Sequence, residues 1–243
     1  MSNQKKNNIT AVIAKRELKS FFTSPVAYIV TALFLIAVGI FFYSTFFLNK
    51  KAELRIFFSI LPYAFTVFVP ALTMRLFAEE QKTGSIETLM TLPVTENQVV
   101  LGKFFAAFIT SIAMLIPTLL YVITLTFFGK PDYGPIIGGY IGAILLCAAY
   151  SAIGTFASSI TKNQIIAFFT ALAISALLTL IDLFMIFIPG RFVKFLSFFS
   201  VVTHFNSIAR GIIDSRDIIY LLSLTVVFIL LTIKSQELRR KEV

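Results

Sequence analysis

Six apolar runs, each about long enough to cross a lipid bilayer, follow one another along this chain of 243 residues. A helix needs about 20 apolar residues to span the hydrocarbon core. Within such a helix the backbone polar groups satisfy one another, as lipid requires. We therefore predict an all-α integral membrane protein with six transmembrane helices in one domain over residues 1–243. The predicted spans are residues 26–48, 56–74, 98–128, 136–160, 165–188 and 217–234.

The composition supports a membrane protein and leaves no room for a soluble enzyme domain. Hydrophobic residues make up 58% of the chain and charged residues 14%, whereas about a quarter of a soluble domain is charged. The net charge of +9 raises the question of nucleic acid binding, but the basic residues lie at the ends of the apolar runs. Lysines and arginines at such places hold cytoplasmic loops. We therefore expect lipid contact and no nucleic-acid partner.

The distribution of basic residues predicts the orientation of the spans. Membrane proteins carry an excess of lysine and arginine in their cytoplasmic loops. With the N-terminus inside, the larger share of the 21 basic residues falls on the cytoplasmic side, and six spans return the C-terminus to that side. The inside set is Lys5, Lys6, Lys15, Arg16, Lys19, Arg75, Lys82, Lys103, Lys162, Lys234, Arg239, Arg240 and Lys241.

The chain has one cysteine, Cys147, and one histidine, His204. A single cysteine forms no internal disulfide and no cysteine-based metal site, and one histidine excludes a histidine triad within the chain. We expect Cys147 to be a packing residue and His204 to form local hydrogen bonds, and we predict no metal site.

The segment before the first span resembles an amphipathic helix at the membrane surface. Over residues 9–22 an apolar face is formed by Leu18, Phe21 and Phe22, and positive charge by Lys15, Arg16 and Lys19. Helices of this kind lie in the headgroup region. Ser24-Pro25 then indicates a new helix start, with serine as N-cap and proline at the first helical position.

Several features inside the spans predict their geometry. Pro62, Pro70 and Pro117 should bend or kink their helices, and Lys103 suggests that the first turn of span 3 projects into water. Span 4 carries small residues four apart, which lets helices approach closely within the chain or between two chains. These pairs are Gly138 with Gly142, Ser151 with Thr155 and Gly154 with Ser158. Residues 189–216 are too interrupted to span, and we expect re-entrant or interfacial helices at the outer face.

Residues 74–93 form the longest polar insertion, between spans 2 and 3. Gly84 should end one helix and Ser85 cap the next. In the second helix Glu87 complements the helix dipole, and Pro93 stops it. Thr95-x-x-Gln98 is a capping box that starts span 3. The apolar stripe of the second helix consists of Ile86, Leu89 and Met90. This stripe either lies on lipid headgroups or docks on a partner protein.

This segment resembles the signature of ABC transporter type-2 permeases, Glu-x-x-x-Gly-Thr-x-Glu-x-Leu-x-x-x-Pro. The matching residues are Glu80, Gly84, Ser85, Glu87, Leu89 and Pro93, with serine in place of the usual threonine. Two further stretches agree. Lys15-Arg16-Glu17 with the following Ser24-Pro25 resembles the amino-terminal interface helix and elbow of the family. His204-Phe205, Arg210–Asp214, Arg216-Asp217 and Tyr220 resemble the segment before its last span.

The resemblance implies a permease subunit in a bacterial cytoplasmic (inner) membrane, with the helix after Gly84 coupled to a separate ABC ATPase dimer. Within the family the chain is most similar to gliding-motility (GldF) and NosY-like permeases. ATP and Mg²⁺ would be held by the ATPase, and this chain would bind no cofactor directly. Gly102-Lys103 is no nucleotide-binding loop, because Asn97 and Phe104 stand where such a loop needs Gly and Ser/Thr. Further implied partners are a second or homologous permease and an auxiliary subunit with an extracytoplasmic domain.

Acidic residues are the remaining candidates for function. Asp182 lies within span 5, and an intramembrane carboxylate either reaches a watery vestibule or marks a proton or ion pathway. Glu79 and Glu80 lie in a cytoplasmic segment and are expected to be solvated or to face a partner.

Three alternative functions remain open from the sequence. A secondary transporter would require paired repeats with a broken helix in each. Pro117 marks one such interruption, and its counterpart in the other half is missing. An intramembrane enzyme would need a larger catalytic set. A structural component of a larger membrane machine is compatible with a permease. The cargo is open too, between a lipid-linked or amphipathic molecule and mechanical work without cargo.

Overall fold

The computed structural model describes residues 2–44, 46, 53–85, 94–129, 131–185, 196–212 and 214–240. Over these residues the regular secondary structure is helical, as predicted. The helices are α1 (Ser2–Thr23), α2 (Pro25–Tyr43), α3 (Arg55–Thr73), α4 (Ala78–Thr83), α5 (Glu96–Leu115), α6 (Leu119–Phe128), α7 (Tyr133–Ser159), α8 (Gln164–Phe184), α9 (Val201–Ala209) and α10 (Ser215–Arg240).

Within the described residues, six helices or helix pairs are long and apolar enough to cross a membrane, which confirms the predicted number of spans. They are Pro25–Tyr43, Arg55–Thr83, Glu96–Phe128, Tyr133–Ser159, Gln164–Phe184 and Ser215–Arg240. The second joins α3 to α4, and the third joins α5 to α6. The helix predicted over residues 9–22 begins earlier, at Ser2. This earlier start could not be predicted, because residues 2–8 carry no apolar periodicity.

Local sequence signals set two of the helix starts as predicted. The Ser24 hydroxyl accepts a hydrogen bond from Val26 N at 3.4 Å, and Pro25 occupies the first position of α2. At the start of α5, Gln98 Oε1 accepts from Thr95 N at 3.1 Å in a capping box. Both devices satisfy backbone groups that a helix N-terminus leaves without partners.

Proline positions shape two spans. Ile116–Thr118, around Pro117, forms a 3₁₀ turn between α5 and α6, so the predicted interruption is present. Pro62 and Pro70 lie inside α3. Because Pro70 has no N–H, the carbonyl of Thr66 lacks its helical donor, and the Ser175 hydroxyl donates to it from α8 at 3.3 Å.

The fourth span, α7, lies at the centre of the bundle and packs on α3, α5, α8, α9 and α10. Its small residues make these approaches possible. A Cβ on Gly154 would lie 1.9 Å from Thr73 Oγ1, and one on Gly138 would lie 2.3 Å from the Ile208 carbonyl oxygen. The predicted close packing is thus used within the chain, and Ser151, Thr155, Ser158 and Cys147 are buried there too.

The segment before the last span contains α9, packed against α3, α7, α8 and α10. Val201, Val202, Phe205 and Ile208 are buried on its inner face. The expected short helix is therefore present between residues 201 and 209, while residues 186–195 lie outside the described part. Gly211, with φ of 86°, follows the helix and meets Gly134 at the start of α7.

Candidate coupling site

The turn from α3 to α4 is fastened to the fourth span by one hydroxyl. Ser158 Oγ accepts hydrogen bonds from Phe77 N at 2.9 Å and Ala78 N at 3.0 Å, and it donates to the Met74 carbonyl at 2.9 Å. These are orphan backbone groups at a helix end and a helix start, and buried groups of this kind need partners. One serine therefore fixes the direction in which α4 leaves the bundle.

A second contact holds α4 along its length. The Gln81 amide nitrogen donates to the Ser159 carbonyl at 2.9 Å, and Gln81 is 5% exposed. The α4 helix ends at Gly84, whose φ of 73° lies in the left-handed region. A Cβ on Gly84 would meet nothing within 4 Å, so the backbone conformation, not space, favours glycine there. The predicted helix break at Gly84 is confirmed.

The first helix is docked on the start of the third span. Ile13 packs against Gly102, where an added Cβ would come within 2.8 Å of the Ile13 side chain. Phe21 is buried beneath the Arg75 guanidinium, which lies 4.6 Å above its ring. Ile13 and Phe21 belong to an apolar cluster shared by α1, the α3–α4 turn and α5, with Leu76, Phe77, Val99, Val100, Ala106 and Ala107.

At the edge of this apolar cluster, four charged residues from three helices meet. The Lys103 ammonium donates to the Leu76 carbonyl at 2.6 Å and lies 3.2 Å from Glu17 Oε1. It also lies 3.0 Å from Glu80 Oε2, as an ionic contact and not as an aligned hydrogen bond. Arg16 bridges the two carboxylates, at 2.7 Å from Glu17 and 2.8 Å from Glu80. We call Arg16, Glu17, Glu80 and Lys103 the Lys103 cluster.

The charges in the Lys103 cluster balance, which makes its burial tolerable. Lys103 is fully buried, while 13% of the Glu17 side chain and 20% of the Glu80 side chain are exposed. An isolated buried ion costs several kcal/mol, and here two cations face two carboxylates. Burial alone would raise the pKa of Glu17, but Lys103 and the hydrogen bonds from Arg16 and Lys103 favour the carboxylate and hold its pKa below the ordinary value.

Two sequence-based interpretations are corrected by this cluster. Lys103 does not project into water, because α1 covers the first turns of α5 and supplies Glu17 as a counter-ion. Glu80 points inward to Lys103 and Arg16 and is not a purely solvated or partner-facing acid, whereas Glu79 beside it is exposed. In both cases the deciding contact comes from a helix distant in sequence.

A polar cavity of about 350 Å³ opens beside the Lys103 cluster. It lies between α1 and α4. Ser85 lines it, and its hydroxyl lies 3.0 Å from Thr83 Oγ1. The other lining residues beyond the cluster include Ser20, Arg75, Glu79 and Thr83.

The predicted site residues divide into three groups. Arg16, Glu17, Glu80, Gly84 and Ser85 come together around this cavity or next to it. Lys15 lies on the exposed side of α1. The remaining members of the predicted coupling helix fall outside the described residues: Ile86, Glu87, Leu89, Met90 and Pro93.

Asp182 lies apart from this site, near the other end of the bundle. Its Oδ1 accepts a hydrogen bond from Thr203 Oγ1 of α9 at 3.2 Å, and the residue is half-buried. The carboxylate thus has a partner within the chain, and its role in a pathway stays a prediction.

Sequence reasoning missed Lys103, Ser158 and Gln81 as parts of this site. A signal for Lys103 was present, since a lysine inside the apolar stretch Val99–Phe108 needs a counter-charge if it is buried. Ser158 and Gln81 carried no comparable signal, because small hydroxyl and amide residues are common at helix ends.

Comparison with known proteins agrees with this architecture. Residues 52–234 match the family model described as ABC-2 family transporter protein. No curated protein matches the chain. The matched range includes α4, the segment after it, four whole spans and the last span as far as residue 234. The chain therefore belongs to the ABC-2 family of transporter proteins, as a multi-pass membrane permease subunit.

Proposed function

We propose that this permease converts ATP hydrolysis on a separate ABC ATPase dimer, which holds ATP and Mg²⁺, into movement of its transmembrane helices. The input is the segment of residues 86–93, with Ile86, Leu89 and Met90 docked on the ATPase. The observation that carries the proposal is the Lys103 cluster, because it ties the helix leading into this segment to two other helices.

A transmitting element must be held firmly at its base. The α4 helix is fastened to α7 through Ser158 and Gln81, and to α5 through Glu80 and Lys103. The α1 helix is fastened to the same ammonium through Glu17. A displacement applied after Gly84 would therefore reach α1, α5 and α7 together.

The finer assignment follows from the resemblance and from the surface. Large apolar side chains on α2 are exposed, including Ile29, Leu33, Ile36 and Ile40. Such a face suits lipid or a second permease copy. We propose a pair of permeases, identical or homologous, that performs export or mechanical work of the gliding-motility kind, with an auxiliary extracytoplasmic subunit as a further partner.

The test is to place a charge on the stripe of the coupling segment. Leu89→Asp should leave the protein inserted but abolish both co-purification with the ATPase and stimulation of its ATP hydrolysis. Each apolar side chain in such a groove contributes roughly 1.5–3 kcal/mol to binding. Leu89→Asp removes one such contribution and places a charge in the groove, so binding of the ATPase should be lost. The matched control is Ile212→Asp. Ile212 is 62% exposed and lies just before the start of α10, at the end of the bundle opposite the coupling segment.

Three outcomes are distinguishable. Loss of both readouts in Leu89→Asp alone supports the coupling role. Loss in both variants indicates a general folding defect and contradicts a specific role for the segment. Unchanged readouts in Leu89→Asp mean that the stripe lies on lipid, and the proposal is wrong.

A further inference from the structure

The single histidine of the chain lies between two hydrogen-bond acceptors. The His204 Nδ1 atom is 2.6 Å from Asp217 Oδ1, and its Nε2 atom is 3.1 Å from the carbonyl oxygen of Phe198. A backbone carbonyl can only accept. Nε2 must therefore carry a hydrogen. The neutral tautomer with its single ring hydrogen on Nδ1 is thereby excluded.

This geometry determines how many protons the pair holds. With Nε2 protonated, a neutral ring presents a lone pair at Nδ1, and an ionised Asp217 presents lone pairs at Oδ1. Two lone pairs repel at 2.6 Å. A further proton must lie between them, on Nδ1 as an imidazolium or on Oδ1 as a carboxylic acid. In either form the pair holds one proton more than a neutral histidine beside a carboxylate.

Apart from His204, the carboxyl group is supported by the N-terminus of α10, in whose first turn it lies. Asp217 is 7% exposed, and its Oδ2 atom is buried without a hydrogen-bond partner in the described part of the chain. A buried carboxylate oxygen without a donor is costly. Among the described residues, the contact with His204 is thus the side-chain hydrogen bond that offsets the burial of this group.

The pair joins three parts of the fold. His204 lies on α9, Asp217 lies in the first turn of α10, and Phe198 lies in the short helical stretch of residues 196–199 before α9. Tyr220 of α10 stacks on the His204 ring at 4.1 Å, and its hydroxyl donates to the Phe199 carbonyl at 2.7 Å. The proton therefore sits where the start of the last span is held to the helix before it.

This site lies at the opposite end of the molecule from the Lys103 cluster. Arg240, at the end of α10, forms an ion pair with Glu96 at the start of α5. Asp217 is near the other end of α10, about 35 Å away along the helix at about 1.5 Å per residue. The His204 side chain is 13% exposed and that of Asp217 is 10% exposed, so a proton from water can reach the pair.

Other ionisable groups lie around the pair. Asp182 of α8 contacts Thr203, the residue before His204, and Asp182 interacts electrostatically with Tyr63 of α3. From α7, Tyr150 interacts electrostatically with Tyr220. The charged residues of the connecting segment are Arg210, Asp214, whose carboxylate caps Arg216 N, and Arg216.

We propose that His204 and Asp217 form a proton-binding site that fastens α9 to the start of α10. Binding of the proton closes the contact, and its release opens it, because the two facing atoms then repel. The site goes beyond the coupling role and does not depend on it.

The first measurement needs no variant. Because the chain has one histidine, protein labelled with ¹⁵N-histidine and purified without a histidine tag gives one imidazole spectrum. We expect Nε2 to be protonated at every pH at which the contact is closed. A neutral ring with its proton on Nδ1 at neutral pH would overturn the proposal.

The second measurement compares the wild type with Asp217→Asn in amide hydrogen exchange from about pH 5 to about pH 8, the range in which an ordinary histidine side chain changes its charge. The Asn amide can donate to Nδ1 of a neutral ring, so this variant keeps the contact without the extra proton. After correction for the intrinsic rate, exchange over 201–209 should rise at least about tenfold with pH in the wild type, as expected for loss of a charged hydrogen bond.

In Asp217→Asn the corrected exchange should not change with pH. The same pH dependence in both proteins, whether steep or flat, would overturn the proposal.

Discussion

The Lys103 ammonium of the third span lies 3.0 Å from Oε2 of Glu80, the first residue of the family signature. Glu80 is on the helix that leads into the segment of residues 86–93, and Lys103 is fully buried. The signature glutamate therefore acts within the permease, as the counter-ion of a buried lysine.

We predict that Lys103 and Glu80 are energetically coupled. Lys103→Met leaves two carboxylates with only Arg16 between them and should destabilise the protein by about 3–5 kcal/mol, the usual effect of breaking a buried pair. Adding Glu80→Gln removes the one excess negative charge and should recover part of this loss. The measurement is a double-mutant cycle by denaturant unfolding in detergent, and strictly additive effects would contradict the coupling.

The contact between Ile13 and Gly102 predicts a pair of compensating substitutions. Gly102→Ala places a Cβ 2.8 Å from the Ile13 side chain and should weaken the docking of α1 by about 1–3 kcal/mol, as overpacking does. Limited proteolysis at exposed Lys15 and Lys19 should become faster. Ile13→Ala added to Gly102→Ala makes space and should restore part of the protection. Equal proteolysis of wild type and Gly102→Ala would show that α1 is not held there.

The low pKa of Glu17 predicts acid sensitivity of α1 docking. A carboxyl whose folded pKa is below its unfolded value stabilises the fold above the unfolded pKa, and this stabilisation is lost as the pH falls through the folded pKa. Docking should therefore weaken below the ordinary value of 4.5. Glu17→Gln should dock more weakly at neutral pH and lose this acid transition. Fluorescence from a label on exposed Val12 reports the position of α1.

The topology predicts which sites are open from each side of the membrane. Cys147 is buried, so we expect a maleimide to label only the introduced cysteines. Leu238→Cys and Tyr133→Cys replace exposed residues at opposite ends of the bundle. In intact cells an impermeant maleimide should label position 133 and not position 238. The reverse pattern would mean that both termini lie outside.

Much of the architecture could be predicted from the sequence, because lipid imposes strong local rules. Apolar runs of sufficient length predicted six spans, Ser24-Pro25 and Thr95 with Gln98 predicted helix starts, and Gly84 predicted a helix end. The family signature was also legible, since it depends on spacing along the chain. Each of these signals acts over a few residues or along one helix.

Only the tertiary structure decided how the buried charges are paired. Lys103 lies 23 residues from Glu80 and 86 from Glu17 in sequence, and its burial depends on α1 folding back over the third span. The small residues of α7 show the same limit, because spacing by four predicts a close approach but not the partner. Their partners, Thr73 and Ile208, are set by the packing of the whole bundle. Local chemistry determines where helices begin, end and cross the membrane, whereas the environment of a charge depends on which distant helices exclude water from it.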